Sequence, residues 1–374
     1  MLGRLRKESP QPKVGTWIIH KDISPLDLYV YLRARFGAPN GFAMTLKHPS
    51  SDNLIHWNWT LQSGTSVIEF LGYQLQALAA IDDTEDPSPE ELSAFVAGLK
   101  ADFANHGQTM SAVKRSLEKW IVFVNPYHRL RRVVDDMSTR LRALNIDHRD
   151  LPGLPTTPEQ LEGFRAKWSA RQFAYTEALG YGLALRMLAP VLAESFVNLV
   201  IFLLAKTELK NDERLYKNAL RQEIDIRVKT LHLTCQGFEK QIDAASEAFK
   251  AFHTLMNGRN DFLHGNIEPL LLKYDTVYFE GTIPLFDQYK NISELSLVKS
   301  LMHVEPEAAL RDIDVANALI ILVLETMDSK TRRTVEEFMN TSDPGWREDK
   351  KRPGILFPQT VVHTVLGPQS ESKS

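Results

Sequence analysis

The chain has 374 residues, 43% of them hydrophobic and 24% charged, the balance of an ordinary globular protein with room for two or three domains. Its 44 Lys and Arg against 47 Asp and Glu give a formal net charge of −3, so there is no global pull on nucleic acid and any polyanion site must be a local patch. A single cysteine, Cys235, excludes a disulfide framework and a cysteine-built zinc site and fits a reducing cytoplasm.

Residues 1–13 read as a loose tail, basic but without the apolar run of a signal peptide. Residues 14–81 read as a small α/β module. In it, "SPLDLYVYLRARFG" opens with Ser24 as N-cap and Pro25 behind it, then closes at Gly37. "IHWNWTLQ" places Ile55, Trp57, Trp59 and Leu61 on one face and His56, Asn58, Thr60 and Gln62 on the other, which predicts a strand. Its tryptophans read as packing rather than as a stacking platform. "DDTEDPSPEE" (82–91) is an acidic linker that ends in helix-start signals, and helical periodicity gives a connector over 88–150.

Residues 114–143 are the most basic stretch. Lys114, Arg115, Lys119, Arg129, Arg131, Arg132, Arg140 and Arg142 face only Glu118, Asp135 and Asp136. A solvated helix face accounts for them more simply than a phosphate-binding stripe. "LPGLPTTPEQ" (151–160) is the clearest domain boundary. Residues 161–340 are predicted to be mostly helical, with helices near 161–187, 191–208, 212–234, 236–264 and 309–340. Glu280-Gly281, flanked by apolar residues, predicts a β-hairpin insertion. Residues 341–374 read as a tail in which "GILFPQTVVHTVLG" is a candidate docked strand. "LAPVLAESFVNLVIFLLAK" (188–206) is interrupted by Pro190, Glu194 and Asn198, and its apolar run is too short to span a bilayer. It reads as a buried helix, and no membrane partner is expected. The fold class expected is α+β, mostly α.

The candidate chemistry lies at the end of the 236–264 helix. Phe238, Ile242, Ala245, Phe249, Phe252 and Met256 recur three and four apart, and the rhythm continues to Arg259 and Leu263. A guanidinium cannot shed its proton, so burying it unpaired costs several kcal/mol. Arg259 therefore calls for a carboxylate, with Glu194 the candidate, or for an anion in a cleft. His253, Asn257, Asn260 and His264 make a polar stripe beside it. Gly265 follows as a natural C′ residue, and the carbonyl end of a helix favours a protonated imidazole. Arg followed by His after four to six residues occurs at Arg142/His148, Arg227/His232 and Arg259/His264. Only Arg259 is followed at once by Asn, and only His264 by Gly. The other two pairs read as surface residues.

"GRNDFLHGNI" resembles the signature of the HEPN superfamily: Arg, a polar residue that is often Asn, then His within four to six. "AESFVNLVIFLL" resembles the acidic, Asn-bearing helix found earlier in such domains. The resemblance covers 257–267 well, 165–340 loosely and nothing before 150. It implies a C-terminal HEPN-like helical bundle at 161–340 carrying the hairpin as an insertion, and a homodimer whose motifs face each other across a cleft. It further implies a metal-independent endoribonuclease, without cofactor, in phage defence or a toxin-like stress system. RNA would be the substrate, and an antitoxin or regulatory protein a further partner. Arg259, His264 and Asn260 would be catalytic, with Glu194, Asn198, Asn257 and Asp261 in support. The alternative is a non-catalytic HEPN scaffold that binds nucleotide or a partner protein. A metal-dependent hydrolase is disfavoured, since no H-E-x-x-H or paired Asp/His motif is present.

Overall fold

The computed structural model describes residues 13–41, 55–73, 76–82, 84–144, 146, 155, 157–264, 269–288, 290 and 292–356, with the backbone alone at 260–264 and 271. Helices dominate and the sheets are small, so the class is α+β, mostly α, as expected. The chain divides into two compact units, one reaching to Ile121 and the other spanning Val122–Ile355.

The first unit runs β1 (Val14–Ile18), α1 (Pro25–Phe36), β2 (Ile55–Ser63), β3 (Ser66–Tyr73), β4 (Gln76–Asp82) and α2 (Pro89–Ser116). Its sheet has the order β1-β4-β3-β2 with antiparallel neighbours. α1 begins where the Ser24 hydroxyl accepts the Asp27 amide, and α2 begins in a Ser88–Glu91 capping box with Pro89 in its first turn. Both starts were legible as local signals. Trp59 is buried, and it and Trp57 meet the Tyr29 ring edge-on at 5.2 and 5.8 Å. The packing reading of these tryptophans holds. Gly72 makes this possible, because a Cβ there would sit 2.4 Å from the Trp57 indole.

The second unit follows β5 (Ile121–Val122). It runs α3 (Pro126–Ala143), α4 (Pro158–Leu204), α5 (Thr207–Asn211), α6 (Glu213–Arg221), α7 (Ile224–Thr234), α8 (Glu247–His264), α9 (Pro269–Leu272), β6 (Tyr278–Glu280), β7 (Ile283–Leu285), α10 (Ile292–Val304), α11 (Pro306–Leu324), α12 (Ser329–Met339), β8 (Gly345–Arg347) and β9 (Arg352–Gly354). β5, β8 and β9 form a small sheet in that order. α4 is the axis of the unit: α3, α7, α8, α10, α11 and α12 all pack on it. Leu185, Leu192, Phe196, Val200 and Leu204 of α4 are buried in that contact.

The element boundaries differ from the sequence reading in informative ways. The helices expected at 161–187 and 191–208 are one helix of 47 residues with Pro190 inside it. Proline in a helix interior costs about 3 kcal/mol. Burial of Pro190 together with Ala189, Leu192 and Ala193 offsets that loss. α4 is long and apolar enough to cross a membrane by length and composition, but 61% of its most apolar window is buried against the rest of the unit. The helix expected at 212–234 is split, because Gln222 and Glu223 are extended. The one expected at 236–264 begins only at 247. Gly237 has φ +82°, a left-handed conformation that ends helical continuity, and Phe238 bridges to Met327 instead. The helix expected at 309–340 breaks before Asp328, whose carboxylate caps α12 by accepting the amides of Lys330 and Thr331. α10 was not foreseen.

The connector expected at 88–150 does not exist as one piece. α2 packs on α1 in the first unit, while α3 buries Tyr127, Val134 and Leu141 against α4 in the second. The units therefore part at residues 121 and 122 and not at the proline-rich 151–160, where most of the segment lies outside the described residues. The domain boundary follows the apolar face of α3, whose Tyr127, Val134 and Leu141 belong to the core of the second unit. The hairpin of β6 and β7 stands where Glu280-Gly281 placed it, with Glu280 opposite Ile283. The tail at 341–374 contains β8 and β9. Its candidate docked strand beyond residue 356 and the N-terminal tail to residue 12 lie outside the described residues.

Candidate functional site

α8 starts in a turn built from Asp243 and Ser246. The Asp243 carboxylate accepts the Ala245 amide at 2.8 Å, the Ser246 hydroxyl donates to the Asp243 carbonyl at 2.7 Å, and the Phe249 amide donates to the Ser246 hydroxyl at 3.4 Å. From there Phe249, Phe252 and Leu255 are buried and Met256 half-buried. Arg259 continues this side of the helix and is itself half-buried. Its Nε is enclosed and has no hydrogen-bond partner among the described residues. His253 and Asn257 lie exposed on the neighbouring face, with Nδ1 and Nδ2 3.4 Å apart.

The backbone remains helical through His264. Asn260 and His264, four apart, share a face, and Arg259 lies about 100° around the axis from Asn260. The side chains of Asn260, Asp261 and His264, and Gly265 as C-terminal residue, lie outside what is described.

Glu194 and Asn198 are one turn apart on α4, as the sequence places them, but their partner is on α7. Arg227 donates through Nη2 to Glu194 Oε1 and through Nη1 to Asn198 Oδ1, the latter at 2.6 Å. Arg227 is 5% exposed, and its Nε, like His232 Nδ1, is enclosed without a hydrogen-bond partner among the described residues. This corrects two expectations. Glu194 does not serve Arg259, and the Arg227/His232 pair is not a surface feature. The signal was available. Ile224, Arg227, Val228 and Leu231 repeat three, one and three apart and are all buried, the same rhythm that drew attention to Arg259. It was hidden because α6 and α7 had been joined into one helix, and that mixes the polar face of α6 into the pattern.

α7 closes on Cys235, whose amide donates to the Leu231 carbonyl. Burial pushes the Cys235 thiol up to about 11, and burial also lowers the nearby Lys210 ammonium. A thiol so shifted is a poor nucleophile. On α3, Arg131 pairs with Asp135 at 3.0 Å and Arg140 with Asp136 at 2.8 Å. Both local acids are thereby used, and Arg129, Arg132 and Arg142 face solvent. Among the described residues no group of three or more His, Cys, Asp or Glu gathers where a metal could bind. Comparison with protein-family models, curated proteins and solved structures gives no match.

The two arginines thus differ in burial and in the partners seen at their Nη atoms, while the Nε of each is enclosed without one among the described residues. The Arg227 fork is occupied by a carboxylate and an amide. Arg259 sits beside an apolar stripe at the end of α8, next in sequence to Asn260 and five residues before a histidine. A guanidinium in that position can take a phosphate through two parallel hydrogen bonds.

Proposed function

We propose that the chain is a metal-independent endoribonuclease of the HEPN type, with Arg259, Asn260 and His264 as its catalytic residues. The observation that carries this reading is the place of Arg259: half-buried at the end of the apolar stripe of α8, five residues before His264 on the same helix, while Glu194 is engaged by Arg227. The resemblance of "GRNDFLHGNI" to the HEPN signature supplies the reaction class.

The ribose 2′-hydroxyl attacks the adjacent phosphorus as its proton passes to a base. The phosphorus–O5′ bond breaks, the leaving 5′-oxygen takes a proton from an acid, and a 2′,3′-cyclic phosphate remains. His264 suits either proton role near neutral pH. In a dimer whose motifs face each other, one copy's imidazole serves as base and the other's as acid. Arg259 stabilises the charge that builds on the phosphoryl oxygens, and Asn260 orients the phosphate or the imidazole. Asn257 supports the same end of the helix. Glu194 and Asn198 act at one remove, by fixing α7 to α4. The exposed Arg129, Arg132 and Arg142 offer the local positive patch that a chain of net charge −3 needs to hold RNA. The same reading places the enzyme in the cytoplasm, in phage defence or a toxin-like stress response.

The test is to incubate the full chain with RNA in EDTA beside Arg259→Ala and His264→Ala. Wild type is expected to leave 2′,3′-cyclic phosphate ends, and each variant to lose about 10²- to 10⁴-fold in rate. Cleavage that survives both substitutions sinks the assignment.

A further inference from the structure

We infer that the first unit holds a binding site for a neutral heteroaromatic ring of nucleobase type. A cavity of about 460 Å³ opens between the start of α1 and the end of the sheet where β2 and β4 begin and β3 finishes. Leu26, Tyr29, His56, Trp57, Gly72 and Gln76 line it, and its volume suits a small molecule. β2 bulges here. Ile55 pairs with Tyr73 and Trp57 with Gly72, so His56 is the extra residue, and bulges re-aim side chains. The two tryptophans of β2 are satisfied differently. Trp59 is sealed in the core, and its N–H donates to the Gly37 carbonyl at 3.3 Å. Trp57 is half-buried, as is Tyr29. Neither the Trp57 N–H nor the Tyr29 hydroxyl has a hydrogen-bond partner among the described residues. Trp57 thus packs on Gly72 with one part of its ring and lines the cavity with another.

The chemistry of the walls selects the ligand. No Asp, Glu, Lys or Arg among the described residues lines the cavity, so a phosphate or carboxylate inside it would find no countercharge. A purely aliphatic ligand would cover the Trp57 N–H, the Tyr29 hydroxyl and the Gln76 carboxamide without pairing them. A flat ring edged with donors and acceptors meets both conditions. Its faces lie against aromatic side chains, and its edge takes the N–H, the hydroxyl and the amide. A nucleobase is such a ring, whether in a free nucleoside or splayed from a single strand whose phosphates stay outside the opening. The cavity lies wholly within the first unit, so its occupancy is independent of whether Arg259 and His264 cleave RNA.

Saturation-transfer NMR on the full chain decides it. The four ribonucleosides are one set of probes, and a short single-stranded oligodeoxynucleotide is the other. The oligodeoxynucleotide lacks the 2′-hydroxyl that the proposed cleavage needs. Base protons are expected to receive more transfer than sugar protons. Tyr29→Phe keeps the ring contacts and removes only the hydroxyl, and should weaken binding about 3- to 10-fold. Trp57→Leu should weaken it about 5- to 100-fold, with circular dichroism reporting whether the variant is folded; if it is not, Tyr29→Phe carries the decision alone. Nucleosides that follow this pattern identify a free ligand, and an oligodeoxynucleotide that alone follows it identifies a base presented on a strand. Absence of binding by both probes at millimolar concentration overturns the proposal, as does binding that Tyr29→Phe leaves unchanged. A proline-rich peptide that fills the cavity where neither probe binds overturns it too.

Discussion

α7 and α8 each carry an arginine followed five positions later by a histidine, and the two helices pack on the same α4. Their arginines have opposite fates. Arg227 faces Glu194 and Asn198 and is closed off from water. Arg259 is half-buried at the end of the apolar stripe of α8, and the Nε atoms of both arginines are enclosed without a hydrogen-bond partner among the described residues. A shared spacing is therefore not a shared role. What separates them is which residues the opposite helix presents: a carboxylate and an amide one turn apart on α4 are set against α7. A buried ion pair stabilises little by comparison with an apolar pair of the same shape, but breaking it is costly because it leaves a charge without its partner. Arg227 belongs to that structural class. Arg259 is half-buried where Arg227 is buried.

The comparison can be broken most decisively at the rate of RNA cleavage. Arg259→Ala is expected to abolish activity by the factor given above while shifting the urea midpoint little. Arg227→Ala should do the reverse. It should cost up to about 3 kcal/mol of stability by stranding Glu194, whose side chain is 30% exposed and so keeps part of its hydration, read as a lower urea midpoint with an unchanged slope, and any fall in activity should follow the folded fraction. If Arg227→Ala leaves the midpoint alone, the buried pair is not holding α7 to α4. Glu194→Gln is a milder cut. It keeps a hydrogen-bond acceptor before Arg227 and removes the charge, for an expected loss of about 1–3 kcal/mol; an equal loss from Asn198→Ala would show the two acceptors to be equivalent.

The same contrast between closed and open appears in Cys235 at the end of α7. With its thiol pushed up to about 11 by burial, alkylation of the native chain near pH 8 should be slower than that of an unfolded control by a factor that denaturant abolishes. The linkage has a definite sign. A folded-state value above the unfolded one means that the neutral thiol stabilises the fold at lower pH. That contribution is lost as pH rises from about 9 towards about 11, because the unfolded chain ionises first. The Cys235→Ala variant should show a shallower decline in stability over that interval, and an identical decline would place its cause elsewhere. This is the smallest of the expected effects.

Part of this architecture was readable without coordinates. Ser24 and Ser88 announce their helices because caps are local chemistry, settled within four residues. The β2 alternation and the turn at Glu280-Gly281 are equally local. Pro190 misleads because the sequence shows its cost while the compensating burial comes from helices far along the chain. The break between α6 and α7 misleads for a related reason: Gln222 and Glu223 are good helix formers that the fold holds extended. The candidate site was legible as a pattern, an arginine on an apolar stripe, yet its partner was not. Glu194 had two arginines to choose from, and only the relative placement of α4, α7 and α8 selects one.

α4 carries a consequence of its own. At 1.5 Å per residue its 47 residues run about 70 Å, and the two ends live in different solvents. Nearly every position from 158 to 173 faces water, whereas from Leu185 onward most are enclosed. One continuous helix should therefore exchange its amide hydrogens over a gradient of rates, fast at the proline-capped start and approaching the global unfolding limit near Phe196. Pro190, having no amide, would be a silent point along it. Such a profile would make α4 a built-in ruler, on which the depth of any opening in the second unit is read from the first residue that resists deuterium.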